Sequence, residues 1–446
     1  MTPPGPSSAG NPSGRRLTVV HLTPGAGQTH CAGCFRDNTL VLELRRMGHD
    51  VLMVPLYLPL RLEDVDASRK TPVFFSGLNV YLDQRWPWFR RAPRLLHRLL
   101  ARRALLGWVG RWAAKTQPAE VGELTLSMLR GEEGHQAREI EELVAWLKTQ
   151  PPPNVICFSN ALLLGMARRL RQVWDAPMVC TFQGEDGFVD AMPADARGAV
   201  WTLMRERAAE VDCFIAPSRY AADLMRQRLA LPAERVRVIA NGIRLEGYGP
   251  APAPPAVPTL GFFARMGRAK GTDVVVDAFF EIRKRRRVPG LRLRLGGSLG
   301  SADQPLIADL RRRIEREGAG AEVDFCPNLD PAAKLEFLRS LTVMSVPARA
   351  PEVFGFYLLE ALACGVPVVQ PRQGAYVERI EGAGGGLLYE PNDAAALAGA
   401  VEPLLIDPAR ARALGETGRK AIQSDCSAER MARRFADVYA ELCRRG

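Results

Sequence analysis

Two carboxylates and three cations in the second half of the chain have the types and spacing for work on a phosphorylated ligand. Glu352 and Glu360 bracket Phe354, Gly355 and Phe356. The stretch 353–364 is mostly apolar, with helix formers from Leu358 onward, and Gly365 and Pro367 end it. The spacing predicts a helix over 355–364, with Glu352 just before its start and Glu360 inside it. A helix N-terminus offers unpaired N–H groups and partial positive charge, which suit phosphate. Glu360 lies amid Leu and Ala and needs polar partners, which sugar hydroxyls would supply. A solvated helix with a capping acid fits the same residues. Upstream, Arg265, Arg268 and Lys270 with Gly267 and Gly271 fall between an apolar run and a helical pattern. Such a loop suits a diphosphate, because Arg forks to its oxygens and Lys adds a point charge. A basic surface loop would look alike, but a second phosphate-favouring feature in the same domain weighs against that. The alternating run 291–295 ends in Gly296 and Gly297, where the backbone can approach a nucleotide or another helix.

These residues need elements to hold them. Short apolar runs at 17–22, 51–55, 154–158, 178–182 and 213–217 read as buried strands, with helical patterns between them. Leu40, Val41, Leu44 and Met47 give a helix over 37–47, stopped by Gly48. Beyond a stiff Pro/Ala linker at 249–258 the pattern restarts. Strands are expected at 259–263, 291–295, 322–325, 342–346 and 367–370. Helices are expected at 274–286, 305–317, 331–338, 355–364, 394–405, 409–424 and 427–444. Alternating strands and helices with near-continuous apolar strands mean an α/β chain with parallel, doubly wound sheets. The expected division is a disordered tail at 1–15, a first domain at 16–248, the linker, a second domain at 259–426, and a terminal helix at 427–446 packing back on the first domain. Two such domains would place ligands at the carboxyl ends of their strands, in an interdomain cleft.

The 446 residues are 47% apolar and 24% charged, ordinary globular proportions that exclude a disordered or disulfide-scaffold chain. Lys and Arg number 60 against 49 Asp and Glu, a net charge of +11. Nine basic residues and no acid lie between Arg85 and Lys115. The surplus is thus local rather than the all-over basicity of a nucleic-acid coat, and no nucleic-acid partner is expected. In 84–115 the leucines recur at helical spacing, Arg91, Arg94, Arg98 and Arg102 take the other face, and Trp86, Trp88, Trp108 and Trp112 flank them. This basic amphipathic insertion either lies on an anionic membrane surface or packs its Leu face on the domain. The run 283–287 reads as a solvated helix end. Nine scattered cysteines and no apolar leader suggest reduced core thiols in a cytoplasmic protein. No window is apolar enough for a transmembrane helix.

Taken together, the loop from Arg265 to Gly271, the Glu352 to Glu360 spacing around Phe354-Gly355, the segments 216–220 and 238–243, and the shorter matches at 48–51 and 374–378 resemble glycosyltransferase family 4. The resemblance runs over nearly the whole chain. It implies a GT-B fold of two Rossmann-like domains and a retaining hexosyltransferase that uses a nucleotide-diphosphate sugar (UDP-, GDP- or ADP-linked), with no cofactor. By that resemblance Arg265 and Lys270 would bind the diphosphate and neutralise the leaving group. Glu352 would meet donor-sugar hydroxyls, and the backbone of Phe354, Gly355 and Phe356 would reach sugar or phosphate. Glu360 would hold the ribose, and Gly297 would line the nucleotide pocket. Cations aimed at the growing negative charge would do the main catalytic work. No Asp-x-Asp pair lies near them, and no metal is assigned.

The first domain would bind the acceptor, whether glycan, lipid-linked or small molecule. By the same resemblance its opening loop would approach the donor diphosphate, where Gly33 matches the second glycine of a family Gly-Gly pair as a donor-binding residue and Ala32 replaces the first. His30, Cys31 and Cys34 share that loop. The Cys pair suits a structural or substrate-lining role, a redox role or a metal site, although no further ligand pair completes a zinc set. At 181–186 the family's His is Gln183, which can hydrogen-bond a hydroxyl but cannot take a proton at neutral pH. Glu185 and Asp186 follow, as acceptor ligands or as turn and cap residues. Two other functions fit parts of the pattern: a GT-B-fold sugar-nucleotide epimerase, which Gln183 disfavours, and a non-catalytic sugar-nucleotide-binding membrane-associated protein, which the intact charged set disfavours.

Overall fold

The computed structural model describes residues 16–25, 32–57, 65–69, 71–74 and 118–445. The tail at 1–15, the basic insertion at 84–115, His30 and Cys31 lie outside the described residues. The described chain forms two units. The first takes its residues from Met1–Pro217, Ala221–Ala240 and Ala428–Gly446, the second from Ser218–Tyr220 and Asn241–Ser427.

The first unit is built on a six-stranded, all-parallel sheet. Its strands are β1 (Thr18–Thr23), β2 (Asp50–Pro55), β3 (Val155–Phe158), β4 (Met178–Thr181), β5 (Cys213–Ala216) and β6 (Val236–Val238), in the order β2-β1-β3-β4-β5-β6. The central strands β3, β4 and β5 are buried along their whole length, as continuous apolar runs require when helices cover both faces. Helix α1 (Ala32–Arg46) buries Leu40, Val41 and Leu44. It begins earlier than the apolar periodicity indicates, so Cys34 lies on the helix and is buried. The helical stretch expected between β2 and β3 holds two helices, α2 (Pro118–Arg130) and α3 (Ala137–Leu147). At the far end of the chain, a helix at Ala428–Arg445 turns Met431, Ala432, Phe435, Ala436 and Tyr439 into the core. It packs on α1 and beneath the sheet residues Val19, Val155, Cys157 and Ile215.

The second unit carries β7 (Thr259–Phe263), β8 (Arg292–Gly297), β9 (Val323–Pro327), β10 (Val343–Met344), β11 (Val368–Pro371) and β12 (Gly386–Tyr389). They order as β12-β11-β10-β7-β8-β9, again all parallel. The chain builds outward from β7 through β8 to β9, then crosses back and builds the other way from β10. Loops leaving β7 and β10 therefore diverge, and the crevice at their carboxyl ends is the usual ligand position in such a sheet. Both sheets agree with the doubly wound expectation. The 241–248 segment belongs with the second unit: Ile243 bridges to Ser427 and donates its N–H to Cys426 O at 2.9 Å.

Candidate functional site

The β7/β10 switch point brings together most of the charged residues singled out in the second half. The loop after β7 holds a single 3-10 turn at Arg268–Lys270 and closes on Gly271, whose φ is +74°. A side chain at Gly271 would stand 2.0 Å from Pro347 O, so only glycine lets this loop lie against the one leaving β10. The second loop reciprocates. Arg349 donates its N–H to Ala269 O at 3.0 Å, and its guanidinium forks onto Asp273 at 2.7 and 2.9 Å. Asp273 also takes Arg268 at 3.0 Å. Burial pushes the Asp273 carboxyl up, but Arg349 and Arg268 outweigh it and hold the group below its usual range.

Braced in this way, Lys270 reaches Glu352 and pairs with its Oε1. The other oxygen, Oε2, accepts from the Tyr357 hydroxyl at 2.9 Å. Glu352 is gripped by its backbone as well: its carbonyl accepts the Ala375 N–H at 2.8 Å. Arg265 is mostly exposed and gives its Nε to Asp303 at 2.7 Å. Its terminal nitrogens have no partner among the described residues.

Glu360 sits on the helix Phe356–Ala363. Its Oε1 accepts from Lys334 Nζ and from Tyr248 OH, each at 2.9 Å. Oε2 carries no donor among the described residues, and so is open to a diol. Gly355 begins that helix without a side-chain cap. Phe354 is buried, with its ring edge-on to Phe356 at 5.0 Å and Arg379 4.9 Å above it. Only its backbone could meet a ligand. Gly297 has a structural reason of its own, since a Cβ there would lie 1.8 Å from Ala264 O.

In the first unit the carboxyl ends of β1, β3 and β4 meet over a buried charge cluster. Asp37, on α1, is fully buried. Its Oδ2 accepts from Thr23 Oγ1 at 2.9 Å and from Ser159 Oγ at 2.5 Å. Its Oδ1 faces His21 Nε2 at 3.2 Å and Arg36 at 2.9 Å. Gln183 joins this cluster. Its Nε2 donates to Ser159 O at 2.7 Å, with Ser159 Oγ at 3.0 Å and Asp37 Oδ1 at 3.3 Å. That leaves the carbonyl Oε1, which has no donor among the described residues and fills the space beside Gly33. A Cβ on Gly33 would stand 2.1 Å from it. Gly33 thus makes room for Gln183.

Glu185 is buried, and both its oxygens accept backbone N–H groups at 2.8 Å, from Ala161 and Gln183. It holds the turn after β4, the cap role rather than a ligand role. Burial pushes the Asp186 carboxyl above its usual value, and its Oδ1 is buried without a partner. Among the described residues no three His, Cys, Asp or Glu converge as a metal site, and no helix is long and apolar enough to cross a membrane. The sequence reading missed Asp37, Ser159, Lys334, Tyr248, Asp303, Tyr357 and Tyr376. The polar identity of Ser159, just past an apolar strand, was the one local signal among them.

Comparison with known proteins finds glycosyltransferases on both units. Residues 251–421 match the family model for glycosyl transferases group 1, and residues 116–246 match that for Glycosyltransferase Family 4. A D-inositol 3-phosphate glycosyltransferase of Acidothermus cellulolyticus is 30% identical over 54% of this chain and 57% of its own. The match to that relative thus takes in little more than half its length. A glycogen synthase of Mycobacterium tuberculosis is 28% identical over 64% of this chain and 68% of its own. Among solved structures, sucrose-phosphate synthase from Thermosynechococcus elongatus superposes with a TM-score of 0.70 at 20% identity, covering 97% of this chain and all of that one. The Anabaena HepE protein in complex with UDP superposes at 0.66 and 15% identity, covering 95% of this chain and all of that one. Two adjoining glycosyltransferase family models thus span most of both units, and the chain is similar to glycosyltransferase family 4 in sequence and to the GT-B fold in structure.

Proposed function

We propose that the protein is a retaining, metal-independent hexosyltransferase that moves a sugar from a nucleoside-diphosphate donor to a hydroxyl acceptor. The observation that carries this reading is the pairing of Lys270, from the loop after β7, with Glu352, from the loop after β10, at the switch point of the second sheet. Glu360 Oε2 takes the ribose diol, with Lys334 and Tyr248 holding the other oxygen. Arg265, through its open terminal nitrogens, and Lys270 take the diphosphate. The helix start at Gly355 adds its N–H groups to that charge.

In the reaction the bond between the anomeric carbon and the phosphate oxygen breaks, and its electron pair stays on the diphosphate. The two cations are preorganised for that charge and are the largest contribution the protein makes. The acceptor oxygen bonds to the same face of the sugar, and its proton passes to the departing phosphate oxygen. Gln183 offers a hydrogen-bond acceptor, so its part is to position a hydroxyl. Asp186, three positions on, and His30, in the loop ahead of Gly33, are the further acceptor-side candidates.

The Anabaena neighbour was solved with UDP, which supports a uridine donor among UDP-, GDP- and ADP-sugars. The relatives act on different acceptors, so glycan, lipid-linked and small-molecule acceptors all remain within the proposal. The protein is assigned to the cytoplasm. Its 85–115 stretch either meets an anionic membrane surface or packs its Leu face on the domain, alternatives that flotation with anionic liposomes separates by neutralising the arginines of 90–103.

The enzyme reading is tested by incubating the protein with labelled UDP-, GDP- and ADP-hexoses, with and without EDTA. Release of a nucleoside diphosphate that survives EDTA and falls about 100- to 1,000-fold in Lys270→Ala is expected. Turnover unchanged in Lys270→Ala and Glu352→Ala would show that the site is elsewhere.

A further inference from the structure

Glu352 is held more firmly than an exposed ligand-binding carboxylate needs to be. Two tyrosines lie behind it. Tyr357 is the second residue of the helix Phe356–Ala363, and Tyr376 is the second residue of the helix Ala375–Ala383. Tyr357 OH and Tyr376 OH are hydrogen-bonded to each other, and Tyr357 OH is 2.9 Å from Glu352 Oε2. A phenol has one proton to give. The carboxylate can only accept, so Tyr357 gives its proton to Glu352. With Tyr357 donating to Glu352, Tyr376 can donate to Tyr357 or reach Glu352 itself, so both phenols back the carboxylate and polarise one another.

Both rings are buried, Tyr376 completely. Burial, reinforced by the nearby Glu352 carboxylate, raises both phenols well above their usual values, so both keep their protons. The same seat grips the backbone. Ala375 N–H holds Glu352 O, and Gly374, at φ +53°, lets the two segments meet where a Cβ would lie 2.6 Å from that oxygen. On the other side, Lys270 Nζ pairs with Glu352 Oε1 and lies 5.8 Å over the Tyr357 ring. Each oxygen of Glu352 is therefore engaged. Lys270 is fixed by a carboxylate that is itself fixed.

We propose that Tyr357 and Tyr376 are positioning residues, which lock Glu352 so that Glu352 holds the Lys270 ammonium in place for the departing diphosphate. This deepens the transferase reading and rests on it. Glu352 then acts first on Lys270 and only second on the sugar. A lysine has three donors, so one on Glu352 leaves two for phosphate oxygens. Without the Tyr357 hydroxyl, the carboxylate can swing and draw Lys270 off the position where charge develops.

The test uses the full-length protein with UDP-glucose, GDP-mannose and ADP-glucose, following release of the nucleoside diphosphate. Tyr357→Phe keeps the ring and its face toward Lys270 and removes only the donor. We expect kcat to fall about 10- to 100-fold with KM changed less than about threefold, as for a lost hydrogen bond to a charged group that matters in the transition state. Tyr376→Phe leaves the Tyr357–Glu352 bond and should lower kcat about two- to tenfold. In a Lys270→Ala background, Tyr357→Phe should add nothing. Thermal melting of each variant checks the fold, and Tyr376→Phe carries the test if Tyr357→Phe does not fold. Folded variants with wild-type kcat, or losses that multiply with Lys270→Ala, overturn the positioning role while leaving the transferase reading intact. A wild-type protein that turns over none of the three donors and binds none of UDP, GDP and ADP overturns the transferase reading, and this inference with it.

Discussion

The charge cluster buried under the first sheet makes a demand on pH that can be measured. His21 lies within β1, fully buried, 3.2 Å from Asp37 Oδ1. Burial works against a charged imidazole, but Cys157 and the Asp37 carboxylate more than offset it, and the ring is raised from 6.5 to about 9. Asp37 shifts the other way: burial pushes it up, but Arg36 and His21 together bring it below its usual value. A folded-state value above the unfolded one means that folding takes up a proton. The stabilisation from His21 is therefore complete below about pH 6.5 and is lost as pH rises through about 9. The difference between the two values is worth about 3 kcal/mol. Urea unfolding of the wild type and of His21→Gln, at about pH 6 and about pH 9.5, isolates this group, because all other titrations are common to both. Wild type should lose about 3 kcal/mol more than the variant between the two conditions. If both proteins lose stability in parallel, His21 is neutral in the folded state and this account of the cluster is wrong.

Two further substitutions test the geometry. Gly33→Ala places a methyl 2.1 Å from Gln183 Oε1 and must displace that side chain, so kcat/KM should fall about tenfold while nucleotide affinity in the second unit stays unchanged. Equal kinetics would show that Gln183 does not touch substrate. Lys334→Met strips Glu360 of its buried cation and should cost about 3 kcal/mol, whereas Lys334→Met with Glu360→Met should recover most of that in thermal melting. A silent single substitution would remove the pair from the account.

Apolar strands of four to six residues made both sheets and their parallel class legible, because a strand covered on both faces cannot hide its composition. Two edge strands escaped that reading. Val236–Val238 is only three residues and partly exposed, and Gly386–Tyr389 follows a run of glycines. On the site side, the residues lying on loops at strand ends were found by type: Arg265, Lys270, Glu352 and Glu360. What sequence did not carry was the pairing. Lys270 and Glu352 are 82 positions apart, and Gln183 and Asp37 are 146 apart. Such contacts are set by strand order, which no local period encodes. Asp37 read as the first residue of an amphipathic helix, and the helix proved to start earlier, turning that side chain inward onto β1 and β3. Tyr357 fell within a stretch read as mostly apolar and Tyr376 within a short family match, and only the fold reveals that their hydroxyls meet at a carboxylate. Glu185 had a turn role and a ligand role open to it, and its two backbone donors fit the first.

The central claim is that Arg265 and Lys270 form a diphosphate site. Calorimetric titration with UDP, GDP and ADP, and with the matching monophosphates, tests it most directly. The account predicts that at least one nucleoside diphosphate binds the wild type. Lys270→Ala and Arg265→Ala should each weaken that diphosphate about tenfold or more, as expected for losing a charge-assisted contact, and leave the monophosphate nearly unaffected. Diphosphate affinity that is unchanged in both variants, or that falls in step with the monophosphate, would contradict it.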